Sequence, residues 1–79
     1  MVLFASELER KDVVAADGKV LGKARTMLVD EESGVVTHLI VEPFDEVDVR
    51  AFTTDDEGNL VFPFDKVQSV KDVIVIQTV

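Results

Sequence analysis

The chain has no cysteine, so neither a disulfide framework nor a thiolate metal site is open to it. With nothing pointing away from a reducing compartment, a cytoplasmic location is the expectation. Histidine occurs once, at His38, which excludes a two-histidine metal site and leaves a Ser-His-Asp set no choice of base. Within "VTHLIV" it alternates with Thr37 and Leu39 and reads as a partly exposed strand residue. Cations are scarce as well: 8 Lys and Arg stand against 16 Asp and Glu, a net charge of −8. Nucleic-acid binders gain much of their affinity by neutralising phosphates, so a polyanion is repelled by most of this surface. Long apolar runs are missing too, and no stretch approaches membrane-spanning length. The opening "MVLFASELERK" is too short in apolar residues and too acidic, at Glu7 and Glu9, to read as a signal peptide.

What is present is a composition that packs. Hydrophobic residues make up 47% of the 79, enough for a core of Val, Leu, Ile and Phe. The length corresponds to a single domain over residues 1–79, and a domain this small buries a modest share of its apolar surface, which favours self-association. Charge is segregated along the chain. Residues 10–25 hold Arg10, Lys11, Lys19, Lys23 and Arg25, five of the eight cations, whereas residues 30–57 hold ten acids against Arg50 alone. One copy's basic strand could thus meet another copy's acidic loops.

Short runs rich in Val, Ile, Leu, Phe and Thr alternate with turn clusters, and no segment keeps a helical period for long. Two short helical turns are expected, one at residues 6–9, where Ser6 caps and Glu9 reciprocates, and one at residues 64–67 after Pro63. Strands are expected at residues 11–16 and 19–30, joined by a tight two-residue hairpin at Asp17 and Gly18. A bulge near Arg25 or Thr26 would put Ala24, Met27 and Val29 on one face. After the acidic turn "DEESG" come a strand over residues 35–43, an irregular acidic segment with a strand near 47–53, a tip at 55–59, and a strand over 60–62. The final run from Asp72, "DVIVIQTV", is nearly all apolar and needs cover on both faces. About six short strands with glycine turns make a mainly β, partly closed small barrel.

Chemistry-bearing patterns are few. In "DGKVLGKA" two glycines are each followed by a lysine, but a P-loop needs Ser or Thr after Gly-Lys, and Ala24 stands there. A β pattern follows where a helix N-terminus would be needed to cradle phosphate. Gly18 is then a turn residue, and Gly22, inside a strand, marks a bend or a close backbone approach. Asp55, Asp56 and Glu57 before Gly58 and Asn59 lack the alternating acids and distant glutamate of a calcium loop and read as a solvated hairpin tip. No catalytic, cofactor or metal residues are nominated, and the chain is expected not to be an enzyme.

Taken together, "DVVAADGKVLGKARTMLVDEESGVVTHLIVE" and the later "VFPFDKVQSVKDVIVIQ" resemble the PRC-barrel family. The likeness covers nearly the whole chain and is weakest over residues 43–59. It implies a PRC-type β-barrel that works as an interaction module without catalysis, with Asp17, Gly18 and Gly22 shaping the fold. Family members include part of the photosynthetic reaction-centre H subunit and a domain of a ribosome maturation factor. Free-standing acidic copies are similar to archaeal cell-division proteins that dimerise and reach the FtsZ ring through the adaptor SepF. The resemblance therefore implies a homodimer or larger assembly, contacts with other division or PRC-barrel proteins, recruitment to midcell, and no direct membrane insertion. The alternative is an RNA-processing or ribosome-maturation accessory using Lys19, Lys23 and Arg25 as a basic strip. Candidate protein contacts are Lys19, Lys23, Arg25, Phe44, Phe52, Ile74 and Ile76.

Overall fold

A computed structural model describes residues 10–78. The helical turn expected at residues 6–9 lies outside the described residues. Six strands form one sheet: β1 (Asp12–Ala15), β2 (Val20–Val29), β3 (Val36–Pro43), β4 (Leu60–Pro63), β5 (Val67–Val70) and β6 (Val73–Ile76). Their order across the sheet is β4-β3-β2-β1-β6-β5. Every neighbouring pair is antiparallel except β1 and β6, so the C-terminal strand enters between β1 and β5. The two edge strands, β4 and β5, follow each other in sequence and are joined by a 3-10 turn at Phe64–Lys66. The sheet curls until one turn of chain connects its edges, but the hydrogen-bond ladder itself does not close.

The concave face holds the core. Val13, Ala15, Leu21, Ala24, Leu39, Val41, Leu60, Phe62, Ile74 and Ile76 pack together, with Met27, Val47, Phe52, Val67 and Val70 around them. Each fully buried Leu, Ile or Val contributes about 1.5–3 kcal/mol relative to exposure, so the ring of Leu39, Leu60, Ile74 and Ile76 dominates cohesion. The apolar terminal run pairs along both edges, with Ile74 and Ile76 pointing inward, but among the described residues the cover expected on both faces is absent: Val73 is exposed and Val75 half-buried.

Bulges supply the curl. The β2 to β3 register shifts between Ala24 and Thr26, where the sequence called for a bulge, and again between Leu28 and Val29. Ala24 and Met27 consequently face the core, whereas Val29, expected with them, is 50% exposed because the second shift re-phases it. At Gly22 the backbones of β2 and β3 approach closely. A Cβ there would fall on the carbonyl oxygen of Glu42 in β3, so only glycine lets the backbones meet.

Two local expectations need correcting. The β1-β2 connection is not a two-residue turn. The Ala15 N–H donates to the Lys19 carbonyl at 2.8 Å and the Gly18 N–H to the Ala15 carbonyl at 2.9 Å, closing a three-residue loop with positive φ at Gly18 alone. That is a type I turn closed by a left-handed glycine, which tolerates Ala16 and Asp17 where a type I′ turn would not. The strand expected near residues 47–53 is instead a 3-10 turn at Val49–Ala51, because the Asp48 carboxylate caps the Arg50 N–H at 3.1 Å and draws the chain out of extension. Only Thr54 bridges to β4 beyond it. In its place the sheet gains β5, whose "VQSV" sequence does not alternate cleanly; a bulge between Val67 and Ser69 brings Val67 and Val70 to the core side.

Candidate protein-interaction surface

Four of the aspartates, Asp17, Asp30, Asp48 and Asp55, are occupied with the chain's own turns. Asp17 accepts the Lys19 N–H at 3.1 Å. Asp30 accepts from Glu32 and Ser33 at 2.8 and 3.2 Å, while Gly34 takes a positive φ. Asp55 accepts from the Glu57 and Asn59 N–H groups at 2.9 and 2.8 Å, and Asn59 Nδ2 reaches its second oxygen at 3.3 Å. The Asn59 backbone N–H is the main reason the Asp55 carboxyl lies below its ordinary value. Asp48 is lowered in the same way by the Arg50 side chain and backbone. Gly58 takes a positive φ, and Asn59 is buried beside Asp55. The tip 55–59 is thus a side-chain-capped turn. Among the described residues no group of three or more His, Asp and Glu is placed to hold a metal ion.

The cations named from sequence separate into two places. Lys23 extends its ammonium to Asp12 at 2.9 Å, and Arg25 reaches Glu57 at 3.9 Å. These two share a shallow groove with Arg10, Ala24 and Glu42. Lys19 stands apart, on another groove formed with Val20, Val47, Asp48, Ala51 and Phe52. The pairs are solvent-exposed and worth about 0–1 kcal/mol each, so they orient side chains more than they stabilise the fold. Lys11 ties the start of β1 to the β5-β6 turn through the Lys71 carbonyl at 2.6 Å.

Of the apolar candidates, Ile74 and Ile76 have no exposure and face the core, so their side chains offer a partner no surface. The apolar terminal strand that nominated them is explained by burial within the sheet. Phe52 is half-buried and meets Phe62 edge-to-face, centroids 5.8 Å apart at 72°. Phe44, also half-buried, lines a third groove with Lys23, Glu42, Pro43, Asp45 and Glu46. His38 is half-buried on β3, with Nδ1 3.0 Å from the Thr37 hydroxyl.

Sequence reasoning missed the outward face of β2, β3 and β4. Register pairs Thr26 with Ile40 and Leu28 with His38, then Ile40 with Val61 and His38 with Pro63. Ile40 belongs to this face: it is 6% exposed yet lies outside the core cluster, at the floor of a groove walled by Arg25, Leu28, Asp55, Glu57 and Val61. Leu28, in the same groove, is 45% exposed, and Val29 and Val35 at the hairpin end are 50% and 58% exposed. The signal available was the bulge itself, which sends Met27 inward and therefore Leu28 outward.

No helix among the described residues is long and apolar enough to cross a membrane. A protein from Methanocaldococcus jannaschii of uncharacterised function, MJ1118, is 32% identical over 73 residues, covering 91% of this chain and 78% of its own length. The sequence profile of the PRC-barrel domain matches residues 1–79, in agreement with the curled six-stranded sheet and with the glycine-shaped β1-β2 corner. The chain belongs to the PRC-barrel family.

Proposed function

We propose that this chain is a non-enzymatic, self-associating adaptor of archaeal cell division that joins other division or PRC-barrel proteins and is brought to midcell with the SepF and FtsZ machinery. PRC-barrel domains are in general small binding modules, and the observation that carries the reading is the match to that family over residues 1–79. The archaeal relative and the strong acidity are in keeping with the free-standing archaeal kind. The reading of binding over chemistry is supported by Asp17, Asp30 and Asp55, which cap turns, by Asp12, which pairs with Lys23, and by grooves that are shallow and mixed in polarity. A fluorescently tagged copy expressed in dividing archaeal cells tests the reading. A band at midcell together with co-purifying division proteins is expected; dispersed fluorescence with co-purifying ribosomal components overturns it.

A further inference from the structure

We propose that the Asp17-Gly18 bond at the β1-β2 corner is this chain's site of isoaspartate formation, and that two hydrogen bonds of the native turn restrain the reaction. The inference stands apart from the adaptor reading, because it concerns the chain's own backbone and needs no partner. Asp17 is the one aspartate of the sequence that is followed by glycine. The Gly18 nitrogen closes a five-membered ring on the Asp17 side-chain carbon Cγ, and with no Cβ on Gly18 that nitrogen is unshielded. Every other aspartate precedes a larger residue, as Asp30 does Glu31, Asp48 Val49 and Asp55 Asp56. Asp17 and Gly18 are both exposed, and no heavy atom lies within 4 Å of where a Gly18 Cβ would stand.

The steps balance with water alone. With the Asp17 carboxyl protonated, the Gly18 nitrogen attacks Cγ: the N–Cγ bond forms, the Cγ–OH bond breaks, and the hydroxyl leaves with the Gly18 amide proton as water. Water then reopens the resulting succinimide. Breaking N–Cγ restores aspartate, whereas breaking the bond between the Asp17 main-chain carbonyl carbon and the nitrogen leaves the chain running through Cβ and Cγ, one carbon longer, with the former main-chain carboxyl as a side group. The structure supplies the restraint. The Asp17 carboxylate accepts the Lys19 N–H at 3.1 Å, and the Gly18 N–H donates to the Ala15 carbonyl at 2.9 Å. The first bond holds the carboxyl over Lys19 and the second fixes the attacking nitrogen, so both break before Cγ meets that nitrogen. The reaction therefore proceeds from an opened corner, and an exposed hairpin end is where opening costs least. The product consumes the carboxylate that capped Lys19 and lengthens a loop whose flanks are tied by the Ala15 N–H to the Lys19 carbonyl at 2.8 Å and by the Ala16 N–H to the Ile76 carbonyl at 2.9 Å.

Ageing of the full chain at one fixed pH and temperature, in buffer and in unfolding urea, tests both parts. Isoaspartate is located by peptide mapping and counted by methyl transfer from S-adenosylmethionine with an isoaspartyl methyltransferase. In urea it is expected to accumulate faster at residue 17 than at any other aspartate. In buffer it should again appear at residue 17, but about 10-fold or more slower, as the loss of two hydrogen bonds on opening requires. Asp17→Ser, whose hydroxyl keeps an acceptor for the Lys19 N–H but forms no imide, should remove the signal while melting close to wild type. Asp17→Glu, which would have to close a six-membered ring, should be nearly silent, and the urea arm decides even where a variant fails to fold. No isoaspartate at residue 17 in urea, an equal yield at other aspartates, or a signal that persists in Asp17→Ser overturns the site. Equal rates in buffer and urea overturn the restraint.

Discussion

Gly22 and Gly18 differ in role, although both belong to the same hairpin. Gly18 needs its freedom of φ, at +97°, but has open space around it, so Gly18→Ala carries only the left-handed penalty of ~1–2 kcal/mol. Gly22 needs absence of volume, since any Cβ would meet the Glu42 backbone, which cannot rotate away as a side chain could. Gly22→Ala should therefore cost about 3 kcal/mol or more, the upper end of overpacking, and separate from Gly18→Ala in urea denaturation. Equal midpoints for the two variants would show that β3 yields where it faces Gly22. Asp55 makes a second residue-level case. Its folded-state carboxyl is held below the ordinary 3.8, first by the Asn59 N–H, so the unfolded chain takes up a proton more readily. The contribution is present above the unfolded value and fades as pH falls through the folded one. Asp55→Asn, which keeps an acceptor but loses the charge, should be less stable than wild type at neutral pH, and the gap should close below the ordinary carboxylate value. Denaturation at both pH values checks this, and a gap independent of pH would remove the charge from the explanation.

At the scale of elements, the parallel pairing of β1 and β6 joins the chain's first described strand to its last and brings both into the core. Ile74 is fully buried there opposite Val13, so Ile74→Ala should cost about 2–5 kcal/mol by loss of transfer energy and creation of a cavity. Val73→Ala, at a position 38% exposed on the same strand, should cost much less, and thermal melts of the pair give the contrast. The sequence made this strand readable because "VIVI" is too apolar for an edge. The Ala24 to Thr26 bulge was readable for a similar reason, since strict alternation would have mixed Lys23 and Arg25 with Met27 on one face. What the sequence concealed were elements decided by tertiary partners. β5 has a weak pattern and exists because β6 offers it an edge, while the residues around Val49 have strand propensity but yield to a local cap from Asp48. The candidate surface was concealed likewise, as Ile74 and Ile76 advertise hydrophobicity that the fold consumes, and Leu28 becomes outward only once the bulge is placed.

For the whole molecule the deciding quantity is charge against size. A net charge of −8 on a particle with a radius of gyration of 11.8 Å produces a repulsive field for any polyanion, and the local basic groove must work against it. Two of the three cations that an RNA-binding strip would use already face acids of the same chain, Lys23 on Asp12 at 2.9 Å and Arg25 near Glu57 at 3.9 Å. Lys19 lies on a different groove, beside Asp48, so the three do not form one continuous track along which a phosphate backbone could run. Were all three to neutralise phosphates of a single strand, affinity would fall with salt at a log-log slope of about −2. The expected outcome is different: labelled polyuridylate should show no anisotropy change with this protein even at low salt, where electrostatic binding is strongest. Binding that weakens with that slope as salt is added, and that Lys23→Glu abolishes, would instead make the basic groove a nucleic-acid contact and would put the alternative ribosome-accessory reading ahead of the division one.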